Sequence, residues 1–519
     1  MRRHSTPIRG LNHIRSSFDP VGRFGRMFRN LPGASNSEAD LEMLAAIMRG
    51  EGPDEDRKLN DPEPDEDENP NPRLAAGFTY FGQFVDHDLT FDPASSLEQQ
   101  NDPDALVDFR TPRFDLDSVY GRGPDDQPYL YDKGGPRLLL GHGADVPRNQ
   151  DGVALIGDPR NNENLTITQL HSVFLRLHNK MVQAAESRGL SSSAVFGEAQ
   201  RLTRWHYQFA VVNDFLPALT GDGVVEDILR EAEYFADGPR RILRPHLLFY
   251  HYRNQPFMPV EFSVAAYRLG HSMVRPSYHL NEEQQRYTEA HGGKGDPRTP
   301  FRIPIFSAHG PNLNGFRPIP PKSAEQPFSM EINWKFFFDF DTGGKLPQPS
   351  YRLDTSLVEP LFDLRIPKVI GPHEKRISLA ERNLFRGLSM ALPSGQSVAR
   401  AMGMEPLAGE DLLLKENFAE AIKDKKLTEQ QIKLADAARR RLEMETPLWY
   451  YILAEAQKLH EGQHLGPLCG RIVAEVFIGI LTGDSQSYLQ VDPGWTPARE
   501  GLVPEGNLAE LVKFAISGK

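Results

Sequence analysis

A single cysteine, Cys469, in 519 residues leaves no partner for an intramolecular disulfide and no thiolate cage for zinc or an iron–sulfur cluster. Any metal must therefore be held by histidine or oxygen ligands. No apolar run approaches the roughly 18–20 residues that a helix needs to cross a bilayer. The N-terminal stretch MRRHSTPIRGLNHIRSS is positively charged but lacks the roughly 7–15-residue apolar block of a secretory signal. The expectation is a soluble chain with no membrane span, cytoplasmic or exported without a Sec signal. Basic charge is not in excess either: 59 Lys and Arg stand against 71 Asp and Glu, a formal net charge of −12. With no helix that clusters Lys and Arg, nucleic acid is set aside as a partner. Hydrophobic residues at 39% and charged residues at 25% are enough to bury one large core or two ordinary ones.

From Glu51 to Pro72 the sequence EGPDEDRKLNDPEPDEDENPNP is acidic, Pro-rich and almost free of large apolar residues, so burial cannot offset the entropy of ordering it. Residues 1–72 read as an N-terminal arm with an acidic linker, and 73–519 as one domain. A polar insert spans Asn281 to Pro300, and a Pro/Gly-rich run from Ser307 to Pro321 reads as a long packed loop. Elsewhere helical periodicity dominates. Leu165, Leu170, Val173, Phe174, Leu177 and Met181 recur at three- and four-residue steps, as do Leu229 with Tyr234, Leu412 to Ala421, Leu427 to Leu459 and Ile472 to Leu481. Alternating runs are short and few, which predicts a mainly α fold: one large helical domain with little β structure.

The segment FGQFVDHDLTF, Phe81 to Phe91, places Gln83, Asp86 and His87 on one helical face and turns Asp88 away. An imidazole between an amide and a carboxylate can move a proton beside a bound reactant, while Asp88 is free to hold a cation. In GDPRNNENLTITQLHSVFLRLHNKM, Arg160 and Glu163 stand three apart ahead of a long amphipathic helix that Asn162 or Asn164 can cap. They read either as an exposed ion pair or as a guanidinium for a developing oxyanion with a carboxylate beside it. In VEFSVAAYRLGHSMVRPSYHL, His271 follows Arg268 on an apolar helix and faces either core or cofactor, with Gly270 allowing a flat ligand close approach. Asn383 and Arg386 share a face in LAERNLFRGLSMALPSGQ, placed to orient an imidazole and to bind an anion. His171 and His178 lack a carboxylate to complete a zinc triad and read as structural.

RTPRFDLDSVYGRG offers Thr111, Asp115 and Asp117 at alternate positions, with the carbonyl of Arg113 between them. With Asp88 these make an all-oxygen set suited to Ca2+, which takes roughly six to eight such ligands. The bland reading is a solvated turn.

In this order the segments resemble the animal-type haem peroxidases of the peroxidase–cyclooxygenase superfamily, such as myeloperoxidase and lactoperoxidase. The resemblance rests on GQ-x-x-DHD at Gly82 to Asp88, VYG at Val119 to Gly121, R-x-x-E at Arg160 to Glu163, R-x-GH at Arg268 to His271 and N-x-x-R at Asn383 to Arg386. It extends to LGPLCGRIVAEVFIGIL near the C-terminus. It implies haem b and Ca2+ as cofactors, with His271 as iron ligand and Asn383 accepting a hydrogen bond from the far side of that ring. His87 is then the distal acid–base group, with Arg160 and Gln83 beside it. Arg268 and Arg386 meet haem propionates, and Asp86 and Glu163 match the carboxylates that form ester links to haem methyl groups in mammalian members. The implied activity is reduction of hydrogen peroxide through a ferryl intermediate, with oxidation of small anionic or aromatic donors.

The chain departs from that pattern at Asn164, where myeloperoxidase carries the methionine that bonds to a haem vinyl. That link is impossible here, so iodide, bromide, thiocyanate or aromatic donors are expected rather than chloride. The missing disulfides point to an intracellular or bacterial-type member. Two other readings stay open: a fatty-acid dioxygenase of the cyclooxygenase-like branch, and an inactive haem-binding or adhesion module. Against the first, the position three before His271 is Arg268, where the dioxygenases place a radical tyrosine.

Overall fold

The apolar spacing that begins at Leu165 folds as a helix, Leu165–Ser187, and of the two candidate caps it is Asn164 that closes it, its Oδ1 accepting from the Ile167 N–H at 2.9 Å. Asn162 instead ends the preceding 3-10 turn, Pro159–Asn162. The computed structural model describes residues 22–49, 69–90, 107–108, 112–133, 135–230, 233–237, 240–252, 255–291, 302–305, 313, 328–340, 347–362, 364, 378–424 and 428–518.

Helix Ala76–Leu89 packs against Leu165–Ser187 through the stacked rings of Phe84 and Phe174, 4.3 Å between centroids, with Phe81 also stacked on Phe174 and Tyr207 edge-on to all three. These rings are buried, each worth roughly 1.5–3 kcal/mol relative to an exposed one. At the start of the 76–89 helix, Gly77 donates to the Phe337 carbonyl, and a Cβ there would lie 2.5 Å from that oxygen. Only glycine permits this approach. Helices Ser192–Ala210, Leu448–His460 and Pro467–Gly483 complete the surroundings of the 76–89 helix and the turn that carries His271. The fold is mainly α, as the periodicity predicts.

Strand structure is confined to short pairs: a three-stranded sheet of Val107–Asp108, Gly22–Gly25 and Met258–Pro259, and three two-stranded ladders among the described residues. One of these corrects the expectation of a helix linking Leu229 to Tyr234. Helix Val224–Arg230 ends, and Glu233–Asp237 pairs with Arg240–Arg244 as a hairpin. The D-G-P sequence between the strands favours chain reversal, and EYFAD carries aromatic residues suited to a pleated surface.

Residues 22–49 lie within the segment read as an arm, yet Phe24, Phe28, Leu41, Leu44 and Met48 are buried in the core and helix Glu38–Ile47 is capped by Ser37. The acidic run at 50–68 and most of Ser307 to Pro321 lie outside the described residues. The polar insert begins as a helix, Glu282–His291. No described helix is long and apolar enough to cross a membrane.

Candidate active site

His87 is buried near the end of the 76–89 helix, and its Nδ1 lies 2.8 Å from Asn161 Oδ1. An amide oxygen can only accept, so Nδ1 carries the proton and the Nε2 lone pair is left facing Glu163, whose Oε1 is 3.8 Å away. Asn161 is itself fixed by its Nδ2, which donates to His171 Nδ1 at 3.0 Å. Gln83 donates to Glu163 Oε1 and receives the Asn164 amide on its Oε1 at 3.2 Å. Asn164 therefore does more than exclude a methionine: it caps one helix and holds the side chain of Gln83 on another.

Arg160 turns its guanidinium onto fully buried Asp158, at 2.8 Å, and onto the carbonyls of His87, at 2.9 Å, and Thr90. It thus caps the C-terminal end of the 76–89 helix, where a cation meets the negative end of the dipole. Its charge reaches the His87 ring through space.

His271 ends a 3-10 turn, Ala266–His271, which follows helix Val260–Val264 after a break at Ala265. The expected single helix is thus two pieces. His271 Nδ1 is 2.7 Å from the Asn383 amide nitrogen. As placed, this contact puts the ring proton on Nε2; turning the amide end for end presents Oδ1 to an Nδ1–H and frees the Nε2 lone pair. Trp449 stands edge-on to the ring, 6.5 Å between centroids, and donates its Nε1–H to the Arg268 carbonyl at 3.2 Å. Arg268 spans to the other side, Nη1 to Asp86 Oδ2 at 3.3 Å and Nε to the Ser263 carbonyl at 2.8 Å. Arg386 shares the Leu379–Ser389 helix with Asn383, one turn on, and is partly exposed.

Gln83, Asp86, Glu163, Arg268 and His271 all keep some accessible surface. Yet protein atoms crowd Asp86, Glu163 and His271 enough to shift each of them. Burial, helped by the Arg268 charge, pushes the His271 ring down to about 3. Burial and then Arg160 push His87 down to about 4. Burial lifts Glu163 to about 7 against the pull of Arg160. Asp86 resists burial, and with Arg268, His87, Arg160 and His271 around it ends below the ordinary carboxylate range. Accessible side chains in a desolvated setting describe an interior crevice, with both imidazoles neutral at pH 7.

Asp88, fully buried, brings a carboxylate oxygen within 4.8 Å of those of Asp115 and Asp117. The Leu116 N–H donates to Asp88 Oδ2 at 3.2 Å, and Ser118 Oγ lies 3.5 Å from Oδ1. Leu116 adopts φ 57°, the left-handed turn that folds Asp115 and Asp117 back toward Asp88. Arg113 is in the same loop, and Thr111 lies outside the described residues.

Several contributors were invisible as site residues in the sequence. Asn161 and Asp158 sit in the motif segment, but nothing in their spacing distinguishes them from loop polar residues. Ser118, Asn164 as a clamp on Gln83, and Trp449, which is 178 residues from His271, emerge only in three dimensions. His178 is structural, bonded to Tyr120 and the Pro136 carbonyl.

The family model described as animal haem peroxidase matches residues 98–337. That interval contains Arg160, Glu163, Arg268 and His271 but stops short of His87 and Asn383. Peroxidasin of Drosophila melanogaster is 25% identical over 285 residues, 52% of this chain and 16% of that protein. The chain thus spans a small part of that relative. Among solved structures, peroxidase A from Dictyostelium discoideum is similar with a TM-score of 0.59 at 17% identity, covering 99% of this chain and 97% of that one. A fatty acid alpha-dioxygenase from Arabidopsis thaliana gives 0.52 at 15% identity, over 88% and 72%. At such identities the two structures speak for the fold.

Proposed function

We propose that the chain is a member of the animal haem peroxidase family, whose model matches residues 98–337, and that it reduces hydrogen peroxide at a haem held between His87 and His271 while oxidising small donors. One observation carries the reading: two neutral imidazoles, on the 76–89 helix and the 266–271 turn, each with Nδ1 against an asparagine amide; Nε2 is then the nitrogen left for chemistry at His87, and at His271 once the Asn383 amide presents Oδ1 to the ring. His271 Nε2 would hold the iron. Asp86 and Glu163 would be the sites of ester links, and an ester at Asp86 would discharge the partner of Arg268 and release that guanidinium for a propionate, with Arg386 as a second. Bound haem would supply the redox chemistry for reducing peroxide and oxidising the donor.

The protein's part is proton management. His87 Nε2 accepts the proton of the incoming peroxide and returns it to the departing oxygen, while Asn161 keeps the tautomer and the Arg160 charge favours the developing oxyanion. A ring that stays neutral down to about pH 4 is a competent acceptor throughout the neutral range. Protonation removes the acceptor, so with Glu163 esterified the rate of the peroxide reaction should be level from pH 8 to 5 and fall as pH drops through about 4; stopped-flow traces across that range check it. An inflection at 6.5 belonging to His87 would contradict the site's electrostatics. Where Glu163 is unesterified, a further step near pH 7 is expected, lost in Glu163→Gln.

Ca2+ fits the Asp88, Asp115 and Asp117 cluster because three carboxylates this close repel one another until a dication offsets them. It would join the end of the 76–89 helix to the 113–118 loop and so position His87. Exhaustive chelation should remove the metal, destabilise the fold by about 3 kcal/mol for an ion present at ~100 times its Kd, and disturb the haem spectrum. Metal analysis paired with melting curves tests this; loss of calcium with an unchanged melt and spectrum refutes the structural role.

For the donor, iodide, bromide, thiocyanate and aromatic compounds fit a haem without the third covalent link that Asn164 excludes. Peroxide-dependent oxidation of guaiacol and bromide, set beside oxygen uptake on linoleate, separates this activity from a dioxygenase. The fold is common to both. Tyr267, one residue further from His271 than Arg268, stacks on Phe262 and reaches the Gly82 carbonyl at 3.3 Å.

A further inference from the structure

The stretch from Phe24 to Ala34 runs between the two elements that carry His271 and Asn383. Strand Gly22–Gly25 pairs in parallel with Met258–Pro259, directly ahead of the helix and turn that end at His271. In the first turn of that helix Glu261 is fully buried, and its two carboxylate oxygens accept the N–H groups of Met27 and Phe28, each at 3.1 Å. The adjacent residue makes the second attachment. Arg26 donates to the carbonyls of Met390, at 2.6 Å, and Ala391, at 3.2 Å, at the C-terminal end of the helix bearing Asn383. Further on, the Ala34 N–H donates to the Leu392 carbonyl at 2.9 Å, and a Cβ at Gly33 would come within 3.0 Å of Ala391. The His271–Asn383 contact lies on the two elements joined by these attachments.

A carboxylate placed in the core is costly unless it is fully bonded, and the bonds Glu261 makes are to the backbone of a segment more than 230 residues away. We propose that residues 22–34 brace the proximal pair, with Glu261 and Arg26 as positioning residues that hold the His271 turn and the Asn383 helix in register and thereby set the hydrogen bond on His271 Nδ1. Its bearing on the iron rests on the reading of His271 as the ligand. A shift of either element lengthens a bond now at 2.7 Å and frees the ring to change tautomer.

The test reads the ring itself. In the 519-residue protein labelled with 15N-histidine, the His271 nitrogens are assigned by their loss in His271→Ala. The parent should show one tautomer, with well-separated Nδ1 and Nε2 shifts. Glu261→Gln turns an amide NH2 toward one of two backbone donors, and Arg26→Met removes the other attachment from a partly exposed position. Each should move the two shifts toward their average, and Asn383→Ala should move them further. If Glu261→Gln, Arg26→Met and their combination all keep the parental shifts while Asn383→Ala changes them, the brace is refuted; a parent that already averages its tautomers refutes it too. Resonance Raman of the reduced, haem-loaded parent is the separate arm: absence of an iron–histidine band there defeats the ligand reading, while the ring shifts still decide the brace.

Discussion

Replacing His87 by alanine is expected to slow the first reaction with hydrogen peroxide by roughly 10²–10⁴ while haem uptake stays at the parental level. The two outcomes separate because the ring's contacts divide the same way. Nδ1 is committed to Asn161, and Nε2 points into the crevice toward Glu163. The site loses its proton acceptor but none of the groups proposed to hold the cofactor, which sit on the 266–271 turn, the 379–389 helix and the carboxylates at 86 and 163. Where Glu163 carries the proposed ester it has no free carboxylate to substitute; where it does not, its carboxyl, lifted by burial to about 7, is the group that would supply the residual rate. Stopped-flow absorbance on addition of peroxide gives the rate, and pyridine haemochrome content gives the occupancy. A parental rate in the variant would remove His87 from the reaction, and a parallel loss of haem would recast it as a packing residue.

How much of this site can be read from the chain depends on how local each interaction is. The spacing of Gln83, Asp86 and His87 predicts a shared helical face, and the helix at Ala76–Leu89 supplies it, because i, i+3 and i+4 geometry is set by the backbone alone. The cap at Asn164 is legible for the same reason. The Asp88, Asp115 and Asp117 cluster needs one long-range step: the D-x-D pair alone reads equally as a solvated turn, and its approach to Asp88 makes it a candidate cation site. Asn161 is different. Its role exists only because the 3-10 turn at Pro159–Asn162 is folded against the end of another helix, and loop asparagines look alike in sequence. Tyr234 shows the opposite failure, a helical spacing continued past the end of a real helix into a hairpin whose aromatic and branched residues pair across strands. The packing of residues 22–49 hides for a third reason: its main anchor, Glu261, is a charged residue in an apolar run and advertises exposure, whereas its carboxylate serves backbone donors in the core.

Removing His271, the proposed iron ligand, should have the other large effect, and of a different kind. In His271→Gly the reduced protein is expected to lose its iron–histidine band, and haem affinity should fall by more than the roughly 10–100-fold that loss of an outer partner such as Asn383 costs. Glycine leaves a space beside Trp449 and Asn383 the size of the missing ring, so imidazole added to the solvent can occupy it and restore a band of similar frequency. Covalent attachment enters as a second axis. If Asp86 and Glu163 carry esters, acid–acetone extraction leaves haem on the chain even in His271→Gly, and only the axial bond is lost; without esters both go together. The ring is held neutral by burial and by Arg268, with no proton to be displaced from a charged imidazolium before it binds metal. Retention of the parental band in His271→Gly without added imidazole would mean that the iron is held by another residue, and the proposed placement of haem between His87 and His271 would fall.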